Sequence, residues 1–502
     1  MNTPIISFNS CSITMHDKTV LHSISFSILR GDICLITGIN GAGKTTLASG
    51  IAQHKNVTIT PDKSFLLPDP GKVRLVSFES ANDLIEEERK NDDSDFTEGG
   101  IHPGRTVRKL LGETTSDSRH WIEHCGIESI LDRGLKYLST GEIRRSLLCQ
   151  ALLQDPDVII LDEPFEGLDT ESRLRLETII KLLRKKGHTI CLVMDRPEVL
   201  QISVDHVLVL QNGTVIFNGA ETEYHQRKDS FKPRIPENTD KVITGQLLAL
   251  DDWSILQAHN PDNLESETEP ETLVSMNKVC VEWSGNRIID NLSWTIRSGE
   301  HWLLRGPNGS GKTSLLELIT GDNPQVFRND VFLFGNKRGS GETVWEIKAR
   351  LGIVSYRLHQ EYRLLGSIPV EEVLLSGFYD SIGLYDSVKQ TERDVVKTWL
   401  SLARMDHLYH ANFMDLSYGE QRAIVILRAV LKGPLLLILD EPCHSLDSLH
   451  RTFILNLLQS IAQTGKTTLL HVTHDPTEVL PCEHNILELR PGEQPMYRIM
   501  NR

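Results

Sequence analysis

The sequence predicts an α/β protein built as two tandem copies of one unit, each with a mainly parallel core sheet, a small antiparallel β region and a helical subdomain. Three observations predict it. The stretch Gly306-Pro-Asn-Gly-Ser-Gly-Lys312-Thr313 stands between the apolar run Trp302-Leu303-Leu304 and the helix-forming run Ser314-Leu-Leu-Glu-Leu-Ile319, so strand, glycine-rich loop and helix follow one another. A second such stretch, Gly38-Ile-Asn-Gly-Ala-Gly-Lys44-Thr45, lies 268 residues earlier. Continuous apolar runs return after each loop, at 158–161 and 190–194 and again at 435–439 and 468–473, as in parallel strands covered on both faces.

Each loop has the chemistry of a phosphate cradle. Glycines let the backbone curl until several N–H groups point inward, and the helix that follows adds its positive end. In the later loop the residues concerned are Gly306, Asn308, Gly309, Gly311, Lys312, Thr313 and Ser314; in the earlier one they are Gly38, Asn40, Gly41, Gly43, Lys44, Thr45 and Thr46. The lysines can reach the β- and γ-phosphates of a nucleotide, and the Thr313 and Thr45 hydroxyls can bind Mg²⁺.

The flanks repeat as well. Leu21-His-Ser-Ile-Ser-Phe26 parallels Ile289-Asp-Asn-Leu-Ser-Trp294 at the same offset of 268. Leu138-Ser139-Thr140-Gly141-Glu142 recurs as Leu416-Ser417-Tyr418-Gly419-Glu420, and Leu161-Asp162-Glu163-Pro164 as Leu439-Asp440-Glu441-Pro442, both now offset by 278. The second half therefore carries ten extra residues, placed here at 334–343. Helical stretches are expected near 106–137 and 370–410, and a further helix over 421–432. The pairs Leu168-Asp169 and Leu446-Asp447 each stand just ahead of a helical run, where an aspartate is an ordinary helix cap.

Composition narrows the functions. The chain has 502 residues, 39% hydrophobic and 24% charged, with a formal net charge of −15. That balance suits a globular protein and argues against a broad nucleic-acid face or attraction to an anionic membrane. Eight scattered cysteines without a C-x-x-C pair read as reduced thiols of a cytosolic protein, without a zinc or disulfide framework. No apolar run is long enough to span a bilayer, and the opening residues do not read as a signal peptide. Residues 82–100 read as a solvated acidic insertion. Residues 232–272, rich in Pro, Glu and Thr, read as an acidic linker between domains at 1–231 and 273–502.

The doubled set of motifs resembles the ABC ATPases, over nearly the whole chain except the linker. Within them it is similar to the ModF/PhrA type of fused, molybdate-associated ATP-binding protein, through Gly339-Ser-Gly-Glu-Thr343, Trp345-Glu-Ile-Lys348, Asp132-Arg133 and Lys136-Tyr-Leu-Ser-Thr-Gly-Glu142. The resemblance implies two P-loop domains paired head to tail within one chain, each ATP held by the loop of one half and the signature of the other. It gives Asp440 and Asp162 a role in holding Mg²⁺ and makes Glu441 and Glu163 the groups that polarise the attacking water. His474 matches the switch histidine at the γ-phosphate. Trp283 falls where an aromatic ring stacks on adenine. Ser139 and Gly141 would close the Lys312 site; Ser417 and Gly419 would close the Lys44 site. The Lys44 site is less complete, because Met15 stands for Trp283 and Asp195 for His474. It is expected to hydrolyse ATP slowly or to hold it tightly. Both halves lack the usual glutamine after the next strand, with Phe78 and Tyr356 in its place and Glu79 and Gln360 the nearest polar residues.

These readings imply an Mg²⁺-dependent ATPase, cytoplasmic or peripheral on the cytoplasmic face of the inner membrane. It would drive a separate membrane subunit of a molybdate-type transporter or another protein partner. The missing glutamines, which in the family link Mg²⁺ to a membrane partner, favour the other reading, a cytosolic ATP-dependent regulator or binding module. Ribosome-acting relatives typically have basic, helical linkers, and DNA-repair relatives have zinc-binding cysteine pairs. Neither pattern is present in this sequence.

Overall fold

A computed structural model of the chain describes residues 3–15, 18–77, 84, 88, 104–112, 118–138, 140–231, 272–283, 286–385, 387–444 and 446–502. The linker apart from Thr272, the acidic insertion apart from Leu84 and Glu88, and Phe78, Glu79 and Ser139 lie outside the described residues. The chain divides into two compact units, 1–234 and 235–502.

In the first unit, β1 (Pro4–Met15) and β2 (Lys18–Leu29) pair antiparallel, and β3 (Ile33–Gly38) leads into the helix Lys44–Ile51. Next come β4 (Val57–Leu66), β5 (Val73–Val76), β6 (Val158–Asp162), β7 (Thr189–Met194), β8 (His206–Gln211) and β9 (Thr214–Gly219). Their sheets have the orders β2-β1-β4 and β5-β6-β7-β3-β8-β9. The larger is parallel except at β9.

The second unit repeats this plan with β10 (Thr272–Trp283), β11 (Asn286–Arg297), β12 (Trp302–Arg305), β13 (Asp330–Leu333), β14 (Asn336–Lys337), β15 (Leu351–Val354), β16 (Leu436–Asp440), β17 (Thr468–Val472), β18 (Asn485–Leu489) and β19 (Tyr497–Asn501). The sheet orders are β11-β10-β13-β14 and β15-β16-β17-β12-β18-β19. The inserted stretch 334–343 holds β14 and the loop ahead of the helix Val344–Arg350.

Each parallel sheet divides its unit's core, because successive side chains of a strand point to opposite faces. In β6, Ile159 and Leu161 join the cluster that also holds Val107, Trp121 and Ile180, on the helical side. Val158 and Ile160 join Phe8, Ile13 and Leu47, on the antiparallel-sheet side. β16 does the same with Leu437 and Leu439 against Leu436 and Ile438. In the second unit Trp294 and Trp302 are both buried, with ring centres 5.5 Å apart at 79°.

The expected helical stretches contain Val107–Leu111 and Ser118–Cys125 in the first unit, and Val370–Leu375 and Gln390–Leu402 in the second. The helix after β15 was not among those expected. Tyr356–Leu364 begins straight after β15, capped by the Ser355 hydroxyl, which accepts the Leu358 N–H at 3.2 Å. Gln360, the nearest polar substitute for the absent glutamine, lies on it. Asp169 and Asp447 each cap the helix that follows, accepting from Ser172 and His450 N–H at 2.8 Å.

Candidate active site

In the second unit β12 delivers the chain to Gly306, whose φ is 155°. A Cβ there would lie 2.7 Å from the Leu489 carbonyl oxygen, so only glycine fits. Gly311, at φ 96°, caps the helix Lys312–Thr320, leaving that helix's first N–H groups facing the loop. The Lys312 ammonium folds back over its own loop, donating to Gly306 O at 2.9 Å and Pro307 O at 3.0 Å. A phosphate entering the loop would exchange these neutral carbonyls for anionic oxygens.

A cavity of ≈380 Å³ opens at this point, lined by Asn308, Gly309, Gly311, Lys312, Thr313, Ser314, Asp440, Glu441, His474 and Ile288. The parallel register explains the convergence. β16 and β17 lie side by side, with Asp440 opposite Val472, so Asp440, Glu441 and His474 emerge at the same carboxyl-terminal edge as the loop. Glu441 adopts φ 47° and donates its N–H to Val472 O at 3.0 Å. Its carboxylate stands 3.3 Å from His474 Nε2. Burial first, then the adjacent Asp440, raise the Glu441 carboxyl to about 7 against the pull of Lys312. Burial also raises Asp440, again opposed by Lys312.

Two arginines fix this edge. Arg422, fully buried in the helix Tyr418–Val430, donates to the carbonyls of Ser355 at 3.1 Å, Asp440 at 3.3 Å, Glu441 at 2.6 Å and Pro442 at 2.8 Å. It thereby holds the left-handed turn at Glu441, a conformation that costs energy in any residue with a Cβ. Arg451 donates to Cys443 O and Leu446 O and pairs with Glu478 at 3.0 Å. Glu478 in turn accepts from the Thr473 hydroxyl at 2.6 Å, one residue before His474.

Trp283 is 47% exposed at the end of β10 and does not line the cavity. Ser417 caps the helix Tyr418–Val430 in a reciprocal box with Glu420. Gly419 is buried, and a Cβ there would meet the His450 ring at 2.2 Å.

The first unit builds the same frame with different contacts. Lys44 donates to Gly38 O at 2.8 Å and Ile39 O at 2.9 Å, and its ammonium also pairs with Asp195 Oδ1 at 2.5 Å. Asp195 follows β7 as His474 follows β17. Glu163 has φ 48°, and its carboxylate accepts the Asp195 N–H at 2.7 Å. Burial, then Asp195, Glu166 and Asp162, push the Glu163 carboxyl well up. Thr45 is exposed beside buried Lys44 and Thr46. The Thr46 hydroxyl lies 3.9 Å from the Met15 sulfur. Gly141 sits partly buried in the helix Thr140–Leu152.

The ABC transporter family model matches residues 21–166 and 289–444, from β2 and β11 through the two Asp-Glu edges just described. The chain belongs to the ABC transporter family. It is 36% identical over 485 residues to the ABC transporter ATP-binding protein ModF of Escherichia coli K12, covering 95% of each. An uncharacterised ABC transporter ATP-binding protein of Schizosaccharomyces pombe is 25% identical over 92% of each chain. Among solved structures, an archaeal ribosome recycling factor bound to a ribosomal stalk protein superposes with a TM-score of 0.57 at 19% identity, covering 99% of this chain and 90% of that one. At that identity the likeness shows the tandem fold alone.

The second unit offers hard oxygen donors of the kind that suit Mg²⁺. Thr313 and Asp440 line one cavity. Among the described residues no group of three or more His, Cys, Asp or Glu forms a closed metal cage. This set fits an ion that keeps several waters and takes further oxygens from a phosphate chain. Arg422 and the Lys44–Asp195 pair escaped the sequence reading. An arginine within Gln421-Arg-Ala-Ile-Val-Ile does carry a signal, since a lone charge on an apolar face needs buried acceptors.

Proposed function

We propose that this ABC protein binds ATP with Mg²⁺ at two sites and hydrolyses it mainly at the one built on Lys312, Thr313, Asp440, Glu441 and His474. The observation carrying this reading is the single cavity that gathers those five side chains. Lys312 leaves its loop carbonyls for the β- and γ-phosphates. Thr313 and Asp440 would hold Mg²⁺, which supplies charge neutralisation at the phosphate oxygens. Glu441 in its ionised form polarises the attacking water, and His474 orients that water at the γ-phosphate. Trp283 stacks on adenine. The site of Lys44, Thr45, Asp162 and Glu163 turns over slowly.

Hydrolysis then drives a separate partner from the cytoplasm. The likeness to ModF supports a membrane subunit of a molybdate-type transporter. One observation favours the alternative of a regulator or binding module without such a subunit: the helix Tyr356–Leu364 occupies the stretch where the linking glutamine is expected. Among the described residues no helix is long and apolar enough to cross a membrane. Purified Glu441→Gln protein loaded with Mg-ATP and used as bait in cell extract separates the two. Membrane proteins in the eluate support transport, whereas ribosomal or other soluble proteins overturn it. Failure of the wild-type protein to release phosphate from ATP would sink the enzymatic reading itself.

A further inference from the structure

We infer that Asp195 makes the Lys44 site selective for a nucleoside diphosphate over a triphosphate. This deepens, and rests on, the reading of the Lys44 loop as a nucleotide site. Three features of the first unit carry it.

The first is the pair itself. The Asp195 carboxylate lies 2.5 Å from Lys44 Nζ, with side chains only 13% and 8% exposed. A phosphate that seeks Lys44 meets a carboxylate already in place, in surroundings where water screens little. The second is the frame that holds Asp195. Its N–H donates to Glu163 at 2.7 Å, and Glu163 is itself fixed through its N–H to Val193 O at 2.9 Å. Asp195 is thus anchored by its backbone to the same edge that carries Asp162 and Glu163. The third is the contrast between the two units. In the second unit the corresponding position after the strand holds His474, 3.3 Å from Glu441, and an imidazole can donate to an anion.

A diphosphate can lie along the loop N–H groups and the helix end and stop short of Asp195. A triphosphate brings its most highly charged group against Asp195 and its neighbouring carboxylates. Either Asp195 must swing away from Lys44, losing a close ion pair, or two anions must share the space. Both penalties are larger for a triphosphate, which adds the γ-phosphate to the β-phosphate that also reaches Lys44.

The test uses the full-length chain carrying Lys312→Ala, which disables the second loop, titrated calorimetrically with Mg-ADP and with Mg-AMP-PNP. At the Lys44 site ADP is expected to bind at least ~10-fold more tightly than AMP-PNP, the repulsion between close like charges being worth that much or more. Asp195→Asn in the same background, which keeps the shape and removes the charge, is expected to bring the two affinities within about 3-fold. Asp195→His, the residue of the second unit, supplies the same comparison if the asparagine variant does not fold. Equal affinities before the substitution, or a ratio that neither variant moves, overturns the proposal while leaving the nucleotide site intact. Binding of neither nucleotide to the wild-type chain removes the underlying reading.

Discussion

Glu441 carries most of the expected chemistry, and its surroundings set when it can act. A carboxyl raised to about 7 is protonated, and useless for polarising water, over most of the acidic range. The kcat/KM of ATP hydrolysis should therefore rise with pH through about 7 and level off above it, since this ratio reports the free enzyme. A profile flat between pH 6 and 8 would contradict that. Glu441→Gln should lower turnover at least ~100-fold, whereas Glu163→Gln should cost less than about 2-fold if the Lys44 site contributes little. Equal losses in a phosphate-release assay would refute the asymmetry. Lys312 and Thr313 were legible from the glycine-rich loop between strand and helix, and Glu441 only through the resemblance to the ABC ATPases. Asp195 was legible as a position, but its pairing with Lys44 was not, since a salt bridge across the cleft depends on where β7 ends relative to the loop. Arg422 escaped for a related reason: only the fold places four carbonyls around it.

At the scale of elements, one buried side chain fastens a helix to two strand ends. Removing the Arg422 guanidinium takes one donor from each of the carbonyls of Ser355, Asp440, Glu441 and Pro442. Arg422→Ala should destabilise the second unit by ~2–4 kcal/mol, seen as a fall of about 5–10 °C in its melting temperature. An unchanged melting curve would mean that the staple does not hold. Lysine at this position should recover only part of the loss, because an ammonium cannot fan out to four acceptors. The inner strands β6, β7, β16 and β17 could be read from continuous apolar runs, which suit a sheet covered on both faces. The helix Tyr356–Leu364 could not. Its sequence, Tyr-Arg-Leu-His-Gln-Glu-Tyr-Arg-Leu, offers few apolar positions, and a serine ahead of it is as common in loops as at a helix cap. Ser355→Ala should cost ~1 kcal/mol, measurable by chemical denaturation of the full chain.

For the whole molecule, the duplication was plain from the offsets of 268 and 278 residues, because the same two edges of chemistry had to be built twice. What the duplicated machine moves was not legible. Partner recognition belongs to surfaces, and surfaces leave no periodic trace in a sequence.

The crossed indoles of Trp294 and Trp302 give the chain an optical bias. Outside the linker, Trp121 is the single tryptophan of the first unit, with the Lys186 ammonium 4.4 Å from its ring centre. The second unit holds Trp283, Trp294, Trp302, Trp345 and Trp399. Ultraviolet emission is thus weighted towards one half of the molecule, while far-ultraviolet dichroism counts both. Superimposed denaturation traces from the two signals would mark a chain that melts as one body; a separation between them would time the two halves independently, with no dye or label attached.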